Sequence, residues 1–284
     1  MTKVNSTGDQ QDTVSGTALP CVLELRNVKQ TYYDPATKKD FVVFDNFNLA
    51  IEDYPNIGQF VVIMGKSGCG KSTLLRYFTG LQKPTSGEVY IGGKPIADNQ
   101  SIPMVFQQYS SLEWFSVLDN VALPLTLKGV AKKEAHERAM EMIKVVGLEG
   151  HENKFARLPQ LSGGQLQRVA IARSLVANPN MLLLDEPYGA LDGFTRAKMQ
   201  FFLLDLFQKS ELASLNPTVV LVTHDPREAV LLGNDIYIMD SDPGRIIKHI
   251  KPDLPEHRDR SIRKEARFVE IVSYIEDVME GIIQ

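Results

Sequence analysis

The sequence predicts an α/β fold: a parallel core sheet with helices on its faces and an antiparallel β layer near its start. Three observations carry this expectation. Strand-sized apolar runs alternate with helix-sized segments through the second half of the chain. A glycine-rich loop falls directly between an apolar run, Phe60–Met64, and a helix-like stretch. Ahead of both, Val22–Tyr33 and Phe41–Ile51 mix apolar and polar residues as half-buried strands do, with Asp34 and Pro35 marking a turn between them.

Residues 1–20 are rich in Ser, Thr, Gly, Asp and Gln, have almost no apolar periodicity, and are expected to form a flexible tail. The two strand regions of the β layer follow. Phe60–Met64 is apolar throughout, as a strand buried on both faces is, and Lys71–Thr79 follows as a helix. Val105–Phe106 is a candidate for a short buried strand. Ala131–Val146 reads as a helix with Ala135, Ala139, Met142, Ile143 and Val146 on one face, and Gly163–Ala177 as another. Met181–Asp185, Val219–Thr223 and Ile236–Met239 read as strands, separated by helices over Thr195–Gln208 and Asp225–Leu232. After Asp253 the sequence becomes charge-rich. Phe268, Ile271, Val272, Ile275, Val278, Met279 and Ile282 then recur at helical spacing, the stripe of an amphipathic helix expected to pack on its own body. No internal repeat is visible.

At 284 residues the chain can bury a sizeable core without disulfides, as one large domain or a domain with a small appendage. Lys and Arg total 31 against 35 Asp and Glu, and this net charge of −4 argues against a nucleic-acid binder that relies on overall basicity. The apolar runs stay far below the roughly 18 residues of a membrane-spanning helix. Met1–Pro20 lacks the apolar segment of a secretory signal. Only two cysteines occur, Cys21 and Cys69, without metal-ligand spacing, which suits a soluble protein of a reducing compartment.

The strongest local signal is Gly65-Lys66-Ser67-Gly68-Cys69-Gly70-Lys71-Ser72, a phosphate-binding loop between strand and helix, with Thr73 grouped beside it. Glycines let successive backbone N–H groups curl toward phosphates, and the helix N-terminus adds partial positive charge. Lys71 is placed to neutralise the β- and γ-phosphates, and the Ser72 hydroxyl to ligate Mg²⁺. Cys69 lies near the helix start, where a thiol pKa can fall; the plainer role is a small residue of the right size. Asp185 ends an apolar strand and is expected on the Mg²⁺, with Glu186 beside it to polarise an attacking water. Leu161-Ser162-Gly163-Gly164-Gln165 opens a helix and offers a second anion site. One nucleotide already has its phosphates wrapped by the loop, so this site makes sense for another nucleotide held by another subunit. Alone it is a helix cap followed by a glycine pair.

This combination resembles the nucleotide-binding subunit of ABC transporters, over nearly the whole chain from about Val22 to Ile250. The resemblance implies a P-loop ATPase at 21–253, with a helical subdomain at about 108–178 and a C-terminal amphipathic extension at 254–284. It implies that Tyr32 stacks on adenine, with Tyr33 as a rival, and that Gln107 senses Mg²⁺ and the γ-phosphate. Gly189-Ala190-Leu191-Asp192 matches the loop after the catalytic acid, and His224 the switch histidine; by itself His224 could be a surface histidine. The implied catalytic set is Glu186, His224, Gln107 and Lys71, with Ser72, Gln107 and Asp185 at the metal.

Trp114–Val121, Glu186–Asp192 and Asp242–Ile246 look like segments of the nitrate, sulfonate, taurine and bicarbonate importers, although Glu113 and Tyr188 depart from that group's usual Pro and Phe. The implied partners are a second ATPase subunit, membrane permease subunits and a solute-binding protein, at the cytoplasmic face of the cell membrane. Two other readings stay open: an ATPase powering export or lipid extraction, and one acting on nucleic acid or the ribosome. Against the latter stand a single motif set, no heptad run and no cysteine cluster.

Overall fold

The computed structural model describes residues 20–36, 38–54, 58–97, 102–108, 110–209 and 216–282; the expected tail, Pro20 apart, lies outside them. In chain order the elements are β1 (Cys21–Asp34), β2 (Lys39–Glu52), β3 (Gln59–Gly65), α1 (Lys71–Phe78), β4 (Ser86–Ile91), β5 (Lys94–Pro95) and β6 (Met104–Val105). Then come α2 (Val117–Leu127), α3 (Lys132–Val145), α4 (Gly163–Leu175), β7 (Met181–Asp185), α5 (Gly193–Lys209) and β8 (Thr218–Thr223). The chain closes with α6 (Pro226–Leu232), β9 (Asp235–Asp240), β10 (Arg245–Ile250), a short 3-10 turn (Arg260–Lys264) and α7 (Ala266–Glu280).

Two sheets form. One is antiparallel, in the order β2-β1-β4-β5; the other has the order β10-β9-β3-β8-β7-β6 and is parallel except for its β10–β9 edge pair. Strand periodicity divides the core in two. Val61, Ile63, Leu183, Val220 and Val222 face a core shared with the antiparallel sheet and α1. Phe60, Val62, Met64, Leu182, Leu184, Val219 and Leu221 face the opposite way, toward α2 to α7. The central strands are therefore apolar on both faces because both faces are covered.

Ala135, Ala139, Met142, Ile143 and Val146 are all buried, as their spacing predicts. The apolar stripe of α7 joins the same core through Phe268, Ile271, Val272, Ile275 and Val278. Ile282 does not: Gly281 caps α7 at φ 78°, and Ile282 beyond it is 67% exposed. Phe106 also departs from expectation. The short strand is Met104–Val105, and Phe106 lies past its end, exposed.

Candidate functional site

The parallel register places the site. Met64 pairs with Thr223, and Asp185 with Val222, so β3, β7 and β8 deliver Gly65, Asp185 and Thr223 to one edge of the sheet. The loop from Gly65 to Gly70 leaves that edge and enters α1.

Packing demands glycine at two points of this loop. A Cβ on Gly65 would lie 2.5 Å from the Met239 carbonyl oxygen, and one on Gly70 would lie 2.4 Å from Cζ of Phe44. Gly70 also holds φ 101° at the N-cap of α1, in the left-handed region that other residues avoid. Lys71 is folded back and buried. Its Nζ donates to the Gly65 carbonyl at 2.9 Å and the Lys66 carbonyl at 3.0 Å, so its charge sits inside the loop, near enough to Asp185 to favour that carboxylate.

The Ser72 hydroxyl donates to Oδ1 of Asp185 at 3.2 Å. Burial pushes the Asp185 carboxyl above its ordinary range, and the Ser72 hydrogen bond offsets part of that. A half-buried carboxylate beside a hydroxyl is a pair of hard oxygen donors, the kind Mg²⁺ takes. Among the described residues no group of three or more acidic, His or Cys side chains is arranged to hold a metal ion.

Glu186 follows with φ 42°, and its N–H is tied to the Val222 carbonyl at 2.9 Å. Its Oε2 lies 3.1 Å from Nδ1 of His224 and accepts from Nε2 of Gln107 at 3.5 Å. Three residues far apart in sequence thus meet on one carboxylate. Gly189 is part of this arrangement, since a Cβ there would lie 3.0 Å from Nε2 of Gln107.

Tyr32 sits opposite Phe41 on β2, two residues before Val43, and Val43 and Phe44 pack on Gly70. Its hydroxyl accepts from Nε2 of Gln82 at 2.6 Å. Tyr33 is 63% exposed. Lys66 and Ser67 are exposed at the loop, and Thr73 is half-buried on the first turn of α1.

Cys69 differs from one sequence expectation. Its thiol is buried, and burial pushes it above its ordinary pKa, with Lys71 offsetting only part. The plainer role holds: it is a small residue packed against Gly65.

The segment expected to offer a second anion site, Ser162–Gln165, lies elsewhere. Ser162 caps α4, accepting from the Gln165 N–H while its own N–H donates to Oε1 of Gln165. Gln165 in turn meets His151, and Gly164 faces Thr195 and Met199. These contacts stay within the helical layer and do not reach the Gly65–Ser72 loop.

Sequence reasoning missed Glu228. This acid on α6 is 4% exposed and accepts from the Thr223 hydroxyl, next to His224. Its place three residues after Asp225 resembles an ordinary first-turn acid, so only burial singles it out.

Residues 45–189 match a family model described as ABC transporter. The chain is 45% identical over 218 residues to an uncharacterised ABC transporter ATP-binding protein of Methanocaldococcus jannaschii, covering 76% of this chain and 78% of that one. It is 40% identical over 237 residues to the taurine import ATP-binding protein TauB of Escherichia coli K12, covering 81% and 89%. A solved dimeric structure of an ATP-binding cassette in a post-hydrolysis state, bound to ADP and Pi, superposes with a TM-score of 0.66 at 36% identity, covering 81% of this chain and 98% of that one.

Proposed function

The chain belongs to the ABC transporter family, as an ATP-hydrolysing subunit working with a membrane permease, and from that premise we propose that it energises import of a small anionic solute. The solute class is that of taurine and other sulfonates, nitrate or bicarbonate. Its support is the 40% identity to a taurine import protein and the Trp114–Val121 segment. None of the described helices is long and apolar enough to cross a membrane, and in this reading the permease subunits form the solute path. In this reading the subunit docks on the cytoplasmic face, and a solute-binding protein delivers the solute.

The observation that carries the catalytic reading is the convergence of Gln107 and His224 on Oε2 of Glu186, beside the phosphate loop. Lys71 exchanges its two carbonyl contacts for β- and γ-phosphate oxygens. Ser72, Asp185 and Gln107 would hold Mg²⁺, which when bound would spread the negative charge of the phosphates. Glu186 orients the attacking water and takes its proton. His224 turns to the γ-phosphate, and Tyr32 stacks on the adenine. Ser162, Gly163, Gly164 and Gln165 of a second copy or close paralogue present their helix start to the same nucleotide. Closure of the two subunits completes the charge stabilisation, so hydrolysis follows association.

Vesicles carrying the chain with its co-purified permease test this reading. ATP-driven uptake of taurine, another sulfonate, nitrate or bicarbonate, lost in Glu186→Gln, is expected. Co-purifying nucleic acid without a multispanning partner, or ATP-driven export, would overturn it.

A further inference from the structure

The switch histidine has no rigid element of its own. His224 is an exposed residue between the end of β8 and the start of α6. Its two neighbours are pinned. Thr223 is buried, and its hydroxyl donates to Oε2 of Glu228 at 2.5 Å while accepting the Asp225 N–H at 3.1 Å. Asp225 accepts from the N–H groups of Arg227 and Glu228 and so caps α6. Glu228 thus reaches back from α6 to the strand end and closes a ring around His224.

We propose that Glu228 is a positioning residue for hydrolysis: it fixes His224 relative to Glu186 by holding the Thr223 hydroxyl from inside the core.

Several features make Glu228 more than a surface acid turned inward. Its Oε1 is buried without a partner, and so is the hydroxyl of Tyr188, two residues after Glu186. Tyr188 lies close enough to feel the Glu228 charge, which sets the Glu186 segment beside α6. From α5, Gln200 lies against the carboxylate and Arg196 adds a favourable charge, while Asp225 on its own loop opposes it. Gln200 accepts from Arg263, so the segment before α7 buttresses the same spot. A residue serving only as a helix-start acid would have stayed in water. Here burial raises the carboxyl to about 7, a cost that calls for a local purpose.

The inference rests on the reading of His224 as a γ-phosphate contact, and its test separates the two. The full chain is labelled at its five histidines, and the His224 ring resonances are assigned with His224→Ala. Glu228→Ala should shift those resonances in the nucleotide-free protein. It should also lower kcat for ATP hydrolysis about 10- to 100-fold, the scale of a small misplacement, and leave KM within about 3-fold. Glu228→Gln keeps an oxygen for Thr223 and should recover most of the loss. Thr223→Val should reproduce Glu228→Ala, and the two together should not add; this pair decides the matter should Glu228→Ala fold poorly. Unmoved His224 resonances in both variants would overturn the inference, as would a fall in kcat that only tracks loss of nucleotide-binding protein. Undiminished turnover in His224→Ala would remove the functional reading yet leave the resonance shift standing.

Discussion

Nδ1 of His224 lies 3.1 Å from Oε2 of Glu186, joining the residue after β8 to the residue after β7. The contact exists because those strands are parallel neighbours that end level at the sheet edge. Replacing His224 with Ala removes a polar partner of Glu186, the proposed water-activating residue, without touching the Gly65–Ser72 loop. Turnover should fall by about 10²-fold or more, with nucleotide affinity nearly unchanged. Steady-state ATPase kinetics beside nucleotide-binding titration check this.

Gly70 cannot accept a side chain. In Gly70→Ala the new methyl would sit 2.4 Å from the Phe44 ring at φ 101°. Strain and overpacking together should cost roughly 2–5 kcal/mol, and the loop should lose its nucleotide. Thermal unfolding and a binding titration should move together.

Glu228 makes stability depend on pH. Its carboxyl stands at about 7 in the folded chain against 4.5 ordinarily, so the folded state binds the proton more tightly than the unfolded one. Stability from this group is fully present below pH 4.5 and is lost as pH rises toward 7, by roughly 3 kcal/mol in all. Glu228→Gln should remove that slope. Denaturant unfolding should show the variant gaining on the wild type between pH 5 and pH 8; parallel curves would contradict this.

Much of this was legible in the sequence, and the misses have physical causes. The phosphate loop announces itself because backbone curling demands glycine and phosphate demands Lys71. The helix over Lys132–Val145 shows in its periodicity because one face is buried and the other wet. By contrast, α2 carries Pro124 and a short apolar run that blurs any face, although Ser116 and Asp119 cap it as a sequence signal could have suggested. Nor does local pattern give strand order: the family resemblance groups Gln107, Glu186 and His224, and the register of the sheet supplies the contacts by which they meet. Burial is what local pattern leaves out at Cys69 and Glu228, since packing against distant segments puts both inside.

Arg258 ties the segment after β10 to the core. Its Nη1 donates to the carbonyls of Val230, Leu231 and Gly233 at 3.0, 3.0 and 2.9 Å, closing the C-terminal end of α6. Burial lowers this guanidinium to about 10, and its Nε donates as well, to the Pro255 carbonyl at 3.1 Å. Arg258→Met leaves these carbonyls without that donor and should destabilise the chain by roughly 2–4 kcal/mol. A change in melting temperature of less than a degree would show that α6 closes without it.

The central claim is that Glu186 drives water onto ATP in a site that two subunits share. The most direct measurement is ATP turnover together with the molecular mass in solution of Glu186→Gln, with and without MgATP. Turnover should fall by about 10²-fold or more, and MgATP should convert the variant from monomer to a stable dimer retaining two nucleotides. Wild-type turnover in the variant, or a chain that stays monomeric with ATP bound, would contradict the account.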